Sequence, residues 1–507
     1  MAPSLLCAAL AFAGIAHGAL QLAFDATLPP LFTVRPSYLS VNLDTGSLFN
    51  AFPFDHAPFN TLVRNLVRAA PMNFRIGGGA ADSTLFTGEG GASANCTVPG
   101  MSDINICVSA GDIDAILAFA QSTGVGLVWD LNAALRPDSA SPWNASNAAA
   151  LLEKFASAPL RGLPTPAAFQ LGNEPEDWYK RNPPLNVSGP VLAADFHTLR
   201  KLLSAHPSLA SAAIYGPSAC CEDRYPLLAA FLGPVVGALD ALDVHGYPIP
   251  RLHNNSCVPP AYLLKTAMQG VVTTINGYKA LGAPILALGT PLILGETATS
   301  AHGGCDGLSN RFVAGFTFML ELGTLGELGV AQVNRQDIAG FSSQMGPSNY
   351  ALLGPPGWHG AGVPLGQPHP DYWVALLWKQ LVGTRVLSSA LQADDGNTSQ
   401  VDAHVWCSTS LGRAVITYFA MEVPEGTQLA LPLGLPPAPR TEFILTSPAG
   451  LYADSVQLNG AVLEALETGE LPAWPVPGKS VPEGGIVLPP FSFGFLMLDA
   501  ADAPACL

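Results

Sequence analysis

Between Tyr38 and Gln336 one pattern recurs eight times: a short, apolar, β-rich run followed by a longer stretch of helical spacing. The runs are Tyr38–Asp44, Met72–Gly78, Val125–Asn132, Phe169–Glu174, Ile214–Ser218, Leu242–Tyr247, Leu292–Thr297 and Val330–Gln336. Between them, Asp112–Gln121 sets Ile113, Ile116, Leu117 and Ala120 on one face, and Ala194–Ala205 does the same with Phe196, Leu199, Leu202 and Leu203. Eight strands alternating with helices predict an α/β fold, a (β/α)8 TIM barrel. An open doubly wound sheet would carry G-x-G-x-x-G after its first strand; here Gly77-Gly78-Gly79 closes the second strand and reads as a tight turn at the barrel mouth.

Beyond Leu387 helical spacing disappears. Pro/Gly-separated β segments replace it: Asp402–Cys407, Arg413–Ala420, Thr441–Thr446, Ser455–Leu458, Ile486–Leu488 and Phe491–Leu498. They predict a C-terminal antiparallel β-sandwich. The expected division is a signal peptide at 1–19, a barrel at 36–385 and a sandwich at 386–507 completed by residues 20–35.

The apolar run Leu5–Ala16, followed by small residues with Gly18 or Ala19 as the last one cleaved, is what makes the start a signal peptide. If Cys7 leaves with it, eight cysteines remain, an even number suited to an oxidising compartment. No C-x-x-C spacing suggests a zinc ribbon, and no metal or cofactor is expected. Cys96/Cys107 and Cys407/Cys506 are the expected bridges, whereas the pairing among Cys220, Cys221, Cys257 and Cys305 stays open. Sequons at Asn95, Asn144, Asn186, Asn254 and Asn397 agree with a secreted, extracellular or lysosomal/vacuolar glycoprotein. No later run reaches the roughly 18–20 apolar residues of a membrane span; Leu281–Leu294 comes nearest, and Gly and Pro interrupt it. With 22 Lys and Arg against 38 Asp and Glu, a net charge of −16 disfavours nucleic acid and highly sulfated polymers as partners.

Polar or ionisable residues stand at or near most strand ends: Asp44, Asn132, Glu174, His245, Glu296 and Gln336. Barrel enzymes place their chemistry at the C-terminal ends of strands. Glu174, in LGNEPEDWY, and Glu296, in LILGETATS, would therefore face each other from strands four and seven across the rim. Two carboxylates at a sugar-sized mouth are what glycoside hydrolysis requires: one gives a proton to the leaving oxygen, and the other attacks or activates water.

Asn-Glu-Pro on strand four with a strand-seven Glu resembles the clan of retaining (β/α)8 glycosidases. More narrowly, FRIGG, LGNEPEDW, DVHGY, LGETATSAHGG, DYWVALLWKQLVGTRVL and SVQLNG resemble the heparanase-like β-glucuronidases of glycoside hydrolase family 79. The resemblance implies Glu174 as acid/base and Glu296 as nucleophile. It also implies Asp44, Asn173, Tyr247 and Gln336 around the sugar, with Gly303, Gly304 and Tyr350 holding the uronate carboxylate. The implied substrate is a glycan or glycoside containing β-linked glucuronic acid, cut from its end. The rival readings are an exo-glycosidase of the same clan on a neutral sugar and a non-catalytic glycan-binding relative.

The chain also departs from the family pattern. His302 stands where the pattern has tyrosine, and Gly79 where it has threonine. The long linker removed on heparanase activation has no counterpart between Phe86 and Gly111. Around Ala219-Cys220-Cys221-Glu222-Asp223 the basic residues that grip a sulfated chain are missing, leaving Arg224 and Arg251 as the nearest candidates.

Overall fold

The computed structural model describes residues 19–50, 52–89, 96, 106–220, 225–249, 257, 265–342, 346–354, 366–410, 412–432, 435–499 and 503–507. Residues 1–18 of the expected signal peptide, Asn95, Asn254, Cys221, Arg224 and Arg251 lie outside them. Eight parallel strands close into a barrel: β1 (Leu39–Asp44), β2 (Asn73–Gly77), β3 (Gly126–Leu131), β4 (Ala168–Leu171), β5 (Ala213–Ala219), β6 (Ala241–His245), β7 (Leu292–Thr297) and β8 (Val333–Arg335). Closure runs through β8 onto β1, with Val333 opposite Leu39 and Arg335 opposite Val41. Helices alternate with them as α1 (Ala57–Ala69), α2 (Ala110–Thr123), α3 (Ser146–Ala156), α4 (Gly189–Ser204), α5 (Tyr225–Leu232), α6 (Ala267–Leu286), α7 (Ala314–Glu327) and α8 (Pro370–Leu381).

Local chemistry sets these boundaries. Ser109 and Asp112 form a reciprocal capping box at the start of α2, and left-handed Gly124 ends it. Periodicity located the helices but not these ends, so α2 and α4 both run longer than expected. The fourth strand is shorter than expected, because Gly172 (φ 77°) turns the chain out of β4. A Cβ at Gly172 would stand 2.6 Å from the Trp178 ring, so only glycine fits there. Glu174 itself is left-handed (φ 48°), and Pro175 starts a short 3-10 turn behind it.

Because strand residues i and i+2 share a face, the barrel interior is layered. Val128, Ala168, Tyr215, Ala241 and Ile293 form an apolar floor. One register higher the same strands present Asp130, Gln170, Asp243 and Gly295, joined by Arg75 of β2. A Cβ at Gly295 would lie 1.9 Å from Asp243 Oδ1; the missing side chain makes room for that carboxylate.

The second unit has two β layers. A long antiparallel sheet includes Phe32–Thr33, Val382–Leu387, Val401–Ser408, Ala414–Ala420, Ser492–Leu498 and Arg440–Thr446. A four-stranded sheet is built from Ser389–Ala393, Ala19–Phe24, Gln428–Ala430 and Ile486–Val487. Leu20, Leu22, Val405, Ile416, Leu429, Ile486 and Leu496 fill the space between them. The sheet's other face packs on α7 and α8 through Trp406, Phe493 and Phe495. Its strand Val382–Leu387 follows α8 directly, so the sheet begins a few residues before the expected boundary at 386. Ala19, read as a residue at the cleavage point, is the first residue of a strand. Disulfides join Cys96 to Cys107 and Cys407 to Cys506 as expected, and Cys257 to Cys305.

Candidate active site

Glu296 sits on β7 at the top of the barrel, 8% exposed. Arg75 Nη1 donates to its Oε2 at 2.9 Å, and Tyr247 Oη donates to its Oε1 at 2.6 Å. Burial works against its ionisation, but His245, Arg75 and the Tyr247 hydroxyl outweigh burial and hold the carboxyl below the ordinary glutamate range. Glu174 comes to the same mouth from the turn after β4, its side chain 28% exposed. Its amide donates to Ser218 O at 3.0 Å, which fixes the turn.

His245, at the end of β6, lies between the two carboxylates. Its Nδ1 is 2.9 Å from Glu174 Oε1 and 4.0 Å from Glu296 Oε2. Burial would lower the imidazole pKa, but Glu296 and Glu174 more than offset it, and the net shift is upward. Ligand-type atoms of Glu174, His245 and Glu296 all lie within 4.8 Å of one another. No spacing in the sequence announced this cluster; the fold assembles it from β6, β7 and the turn after β4.

The expected sugar-binding residues surround this pair. Asp44 ends β1 half-buried, its Oδ1 accepting the Gly46 amide at 2.7 Å. Burial, with Glu296 adding to it, raises its carboxyl to about 7 against the pull of Gly46 and Arg75. Asn173 is buried, with Oδ1 accepting from Arg75 Nη2 at 2.7 Å. Gln336 follows β8, its amide donating to Thr297 O at 2.7 Å. The Tyr350 ring stacks on Tyr247 with centroids 6.5 Å apart. Gly303 (φ 82°) and Gly304 (φ 71°) form the turn beside them. Gly303 O accepts from the Asn349 amide at 2.7 Å, and the Gly304 amide is directed at Ala301 O at 3.3 Å. A Cβ on Gly304 would press to 3.1 Å from Tyr350 Cβ, so this loop is tight against the phenol.

Asn132 does not join the constellation. Its Nδ2 donates to Thr84 O and its Oδ1 accepts from the Ala134 amide, which makes it a loop cap. Of the sequons, Asn144, Asn186 and Asn397 are exposed.

Sequence reasoning gave no role to the layer beneath the site. Arg75 is fully buried and also donates from Nε to Gln170 Oε1 at 2.6 Å and from Nη2 to Asp130 Oδ2 at 3.4 Å. Gln170 passes the order on by donating to Asp243, which also accepts from Ser218 Oγ at 3.0 Å. Burial pushes Asp130 up to about 8 despite Arg75, and raises Asp243 as well. Asp82 braces the Asn173–Glu174 turn by accepting from the Asn173 amide at 3.0 Å and from Trp178 Nε1 at 2.9 Å. The legible signal was a polar residue in the middle of several apolar runs, Arg75, Asp130, Gln170 and Asp243, at one shared register.

No family model matches the chain. It is similar to a heparanase of Gallus gallus, 31% identical over 413 residues, covering 80% of this chain and 73% of the relative. It is also similar to a hyaluronoglucuronidase of Hirudo nipponia, 25% identical over 410 residues, covering 78% and 77% respectively. Among solved structures, a 4-O-α-L-rhamnosyl-β-D-glucuronidase of Fusarium oxysporum matches with a TM-score of 0.63 at 16% identity, over 94% of this chain and 100% of that one. That likeness confirms the barrel with its sandwich as a fold. The extent of the heparanase match establishes that the chain belongs to the heparanase-like family, glycoside hydrolase family 79.

Proposed function

We infer that the chain is a retaining glycoside hydrolase that releases β-linked glucuronic acid from the end of a glycan or glycoconjugate. One observation carries the reading: carboxylate oxygens of Glu174 and Glu296 lie within 4.8 Å of each other across a single mouth. Retaining glycosidases hold their carboxyl groups roughly 5–5.5 Å apart, whereas inverting ones leave room for a water at about 6.5–9.5 Å.

In the first step Glu296 attacks the anomeric carbon, the glycosidic C–O bond breaks, and the Glu174 proton goes to the departing oxygen. In the second, Glu174 takes a proton from water, the water oxygen bonds to the anomeric carbon, and Glu296 departs from the ester. The surroundings support this division of roles. Glu296 is buried and held ionised by two donors, while Glu174 is the carboxylate that solvent reaches. Asn173, its Oδ1 taken by Arg75, supplies Nδ2 as a donor for a sugar hydroxyl on this reading. The Gly303 amide and the Tyr350 phenol suit a uronate carboxylate, because they bind an anion without a full counter-charge.

A net charge of −16 favours short or weakly sulfated aglycones over a long sulfated polymer. The disulfides support an oxidising compartment, secreted or lysosomal. The test is turnover of an aryl β-glucuronide followed by NMR, with the β-anomer of glucuronic acid expected as first product. Release of the α-anomer would overturn retention. A preference for aryl β-xyloside would favour the neutral-sugar reading, and saturable binding without cleavage the non-catalytic one.

A further inference from the structure

The expected acidic subsite draws on connections above the barrel: Gly303-Gly304 lie in the β7–α7 connection and Tyr350 in the β8–α8 connection, and Tyr247 of the β6–α6 connection stacks on Tyr350. Irregular segments hold a precise geometry only when something outside them fixes it. Three ties are present. An isolated bridge pairs Ile249 with Ser300, and the Ala301 amide donates to Ile249 O at 3.2 Å. The Asn349 amide holds Gly303 O from the Tyr350 side. The third tie is covalent: Cys305, the residue directly after Gly304, is bonded to Cys257, ten positions after Tyr247.

Cys305 is well placed to transmit that restraint. It is 1% exposed, packed with Ile249, Leu308 and Val313. Its amide donates to Ser309 Oγ at 3.0 Å, and its carbonyl accepts from the Ser309 amide at 2.8 Å. Ser309 in turn crowds Gly304, where a Cβ would come within 2.9 Å of its Oγ. Gly304 is thus pinned between Tyr350 on one side and the Cys305–Ser309 turn on the other. Of the two carboxylates at the rim, Glu174 takes part in none of these ties, and Glu296 meets this region through the Tyr247 hydroxyl, which lies before Ile249 on the β6 side of them.

We propose that the Cys257–Cys305 disulfide is a specificity staple: it positions the Gly303-Gly304 turn against Tyr350 so that the site accepts a sugar bearing an acidic group in preference to its neutral counterpart. The proposal deepens the reading of this chain as a glucuronidase and rests on it. Both cysteines are positioning residues and touch no reacting atom.

The experiment compares wild type with the Cys257→Ser/Cys305→Ser double variant, which leaves no stray thiol from this pair, on 4-nitrophenyl β-glucuronide and 4-nitrophenyl β-glucoside. Losing one well-aimed hydrogen bond to a charged group corresponds to roughly a tenfold change. The double variant should raise KM for the glucuronide about tenfold with kcat within about twofold, and leave kcat/KM for the glucoside nearly unchanged. Hydrogen exchange should quicken in residues 298–310 and not in the barrel strands. An equal fall for both substrates, or an unchanged glucuronide/glucoside ratio, overturns the staple while the glucuronidase reading stands. A wild type that does not prefer the glucuronide overturns that reading, and the staple with it.

Discussion

Replacing Arg75 by methionine removes the one cation that reaches Glu296, Asn173, Gln170 and Asp130 together, from a position with no solvent exposure. Two consequences can be separated. The first is stability. Breaking a buried ion pair from one side strands the other charge and costs about 3–5 kcal/mol. Asp130, already pushed up to about 8, can take a proton and soften that cost, so the lower end is expected. The second is catalysis. A hydrogen bond to a charged group is worth about 1.5–3 kcal/mol, which corresponds to roughly one to two pH units in the ionisation of Glu296. Arg75 acts to lower that carboxyl, so its loss moves the ascending limb of kcat/KM against pH toward higher pH by that amount. The assay is an aryl β-glucuronide pH profile of the folded variant, with melting temperature measured alongside. Arg75→Lys serves as the control: it keeps the charge but not the planar fork, and should fall between wild type and methionine. A folded methionine variant whose ascending limb stays where the wild type has it would refute the role given to Arg75 in ionising Glu296.

Glu174→Ala should retain far more activity on a dinitrophenyl glucuronide, whose leaving group needs no proton, than on a methyl glucuronide; equal losses on both would argue against an acid role. Tyr247→Phe removes the 2.6 Å donor from Glu296 and should cut kcat about tenfold or more with the fold intact, as checked by circular dichroism. Overnight chelation with EDTA should leave turnover unchanged; loss restored by a divalent ion would mean that Glu174, His245 and Glu296 work as metal ligands instead. Stability should fall as pH rises from about 5 to 8. Half-buried Asp44 titrates at about 7, and the buried carboxyls of Asp130, of Glu176 in the turn after Glu174 and of Glu321 on α7 at about 8, against roughly 4 in the unfolded chain, so the folded state holds the extra protons across that window. His369, lowered to about 4, opposes this only up to its unfolded value near 6.5. A melting temperature that climbs from pH 5 to 8 would contradict this picture.

The barrel was legible because its information is local. Each apolar run announces a strand, each helical stripe a helix, and the loss of periodicity after Leu387 marks the sandwich. The two carboxylates were legible because each ends an apolar run, even though Glu174 sits three residues past its strand. Boundaries were not legible where a single contact decides them: Trp178 behind Gly172 ends β4 early, and no propensity foretells that. The pairing of Cys257 with Cys305 depends on two connections meeting at the mouth, which spacing does not encode. Arg75 and Asp243 were overlooked for a related reason. Each is one polar residue inside an apolar strand, and only closure of the barrel shows that such residues share a layer.

That layer explains how two identical side chains come to differ. Glu174 and Glu296 share one mouth and one histidine, yet only Glu296 stands over the buried arginine, with Tyr247 clamping its second oxygen. Environment, not residue type, separates acid from nucleophile in such pairs. Here the separation is anchored through Gln170 to Asp243 and Ser218, on strands four to six, whereas the turn carrying Glu174 is braced by Asp82 and by the Ser218 carbonyl. Ser218 thus touches both supports, with its hydroxyl on the network beneath Glu296 and its carbonyl on the turn that carries Glu174. The gap between the carboxylates is therefore set by the barrel layer and by the braced turn after β4, both apart from the Gly303-Gly304 turn, which is why a staple such as Cys257–Cys305 can tune what is bound without altering what is broken.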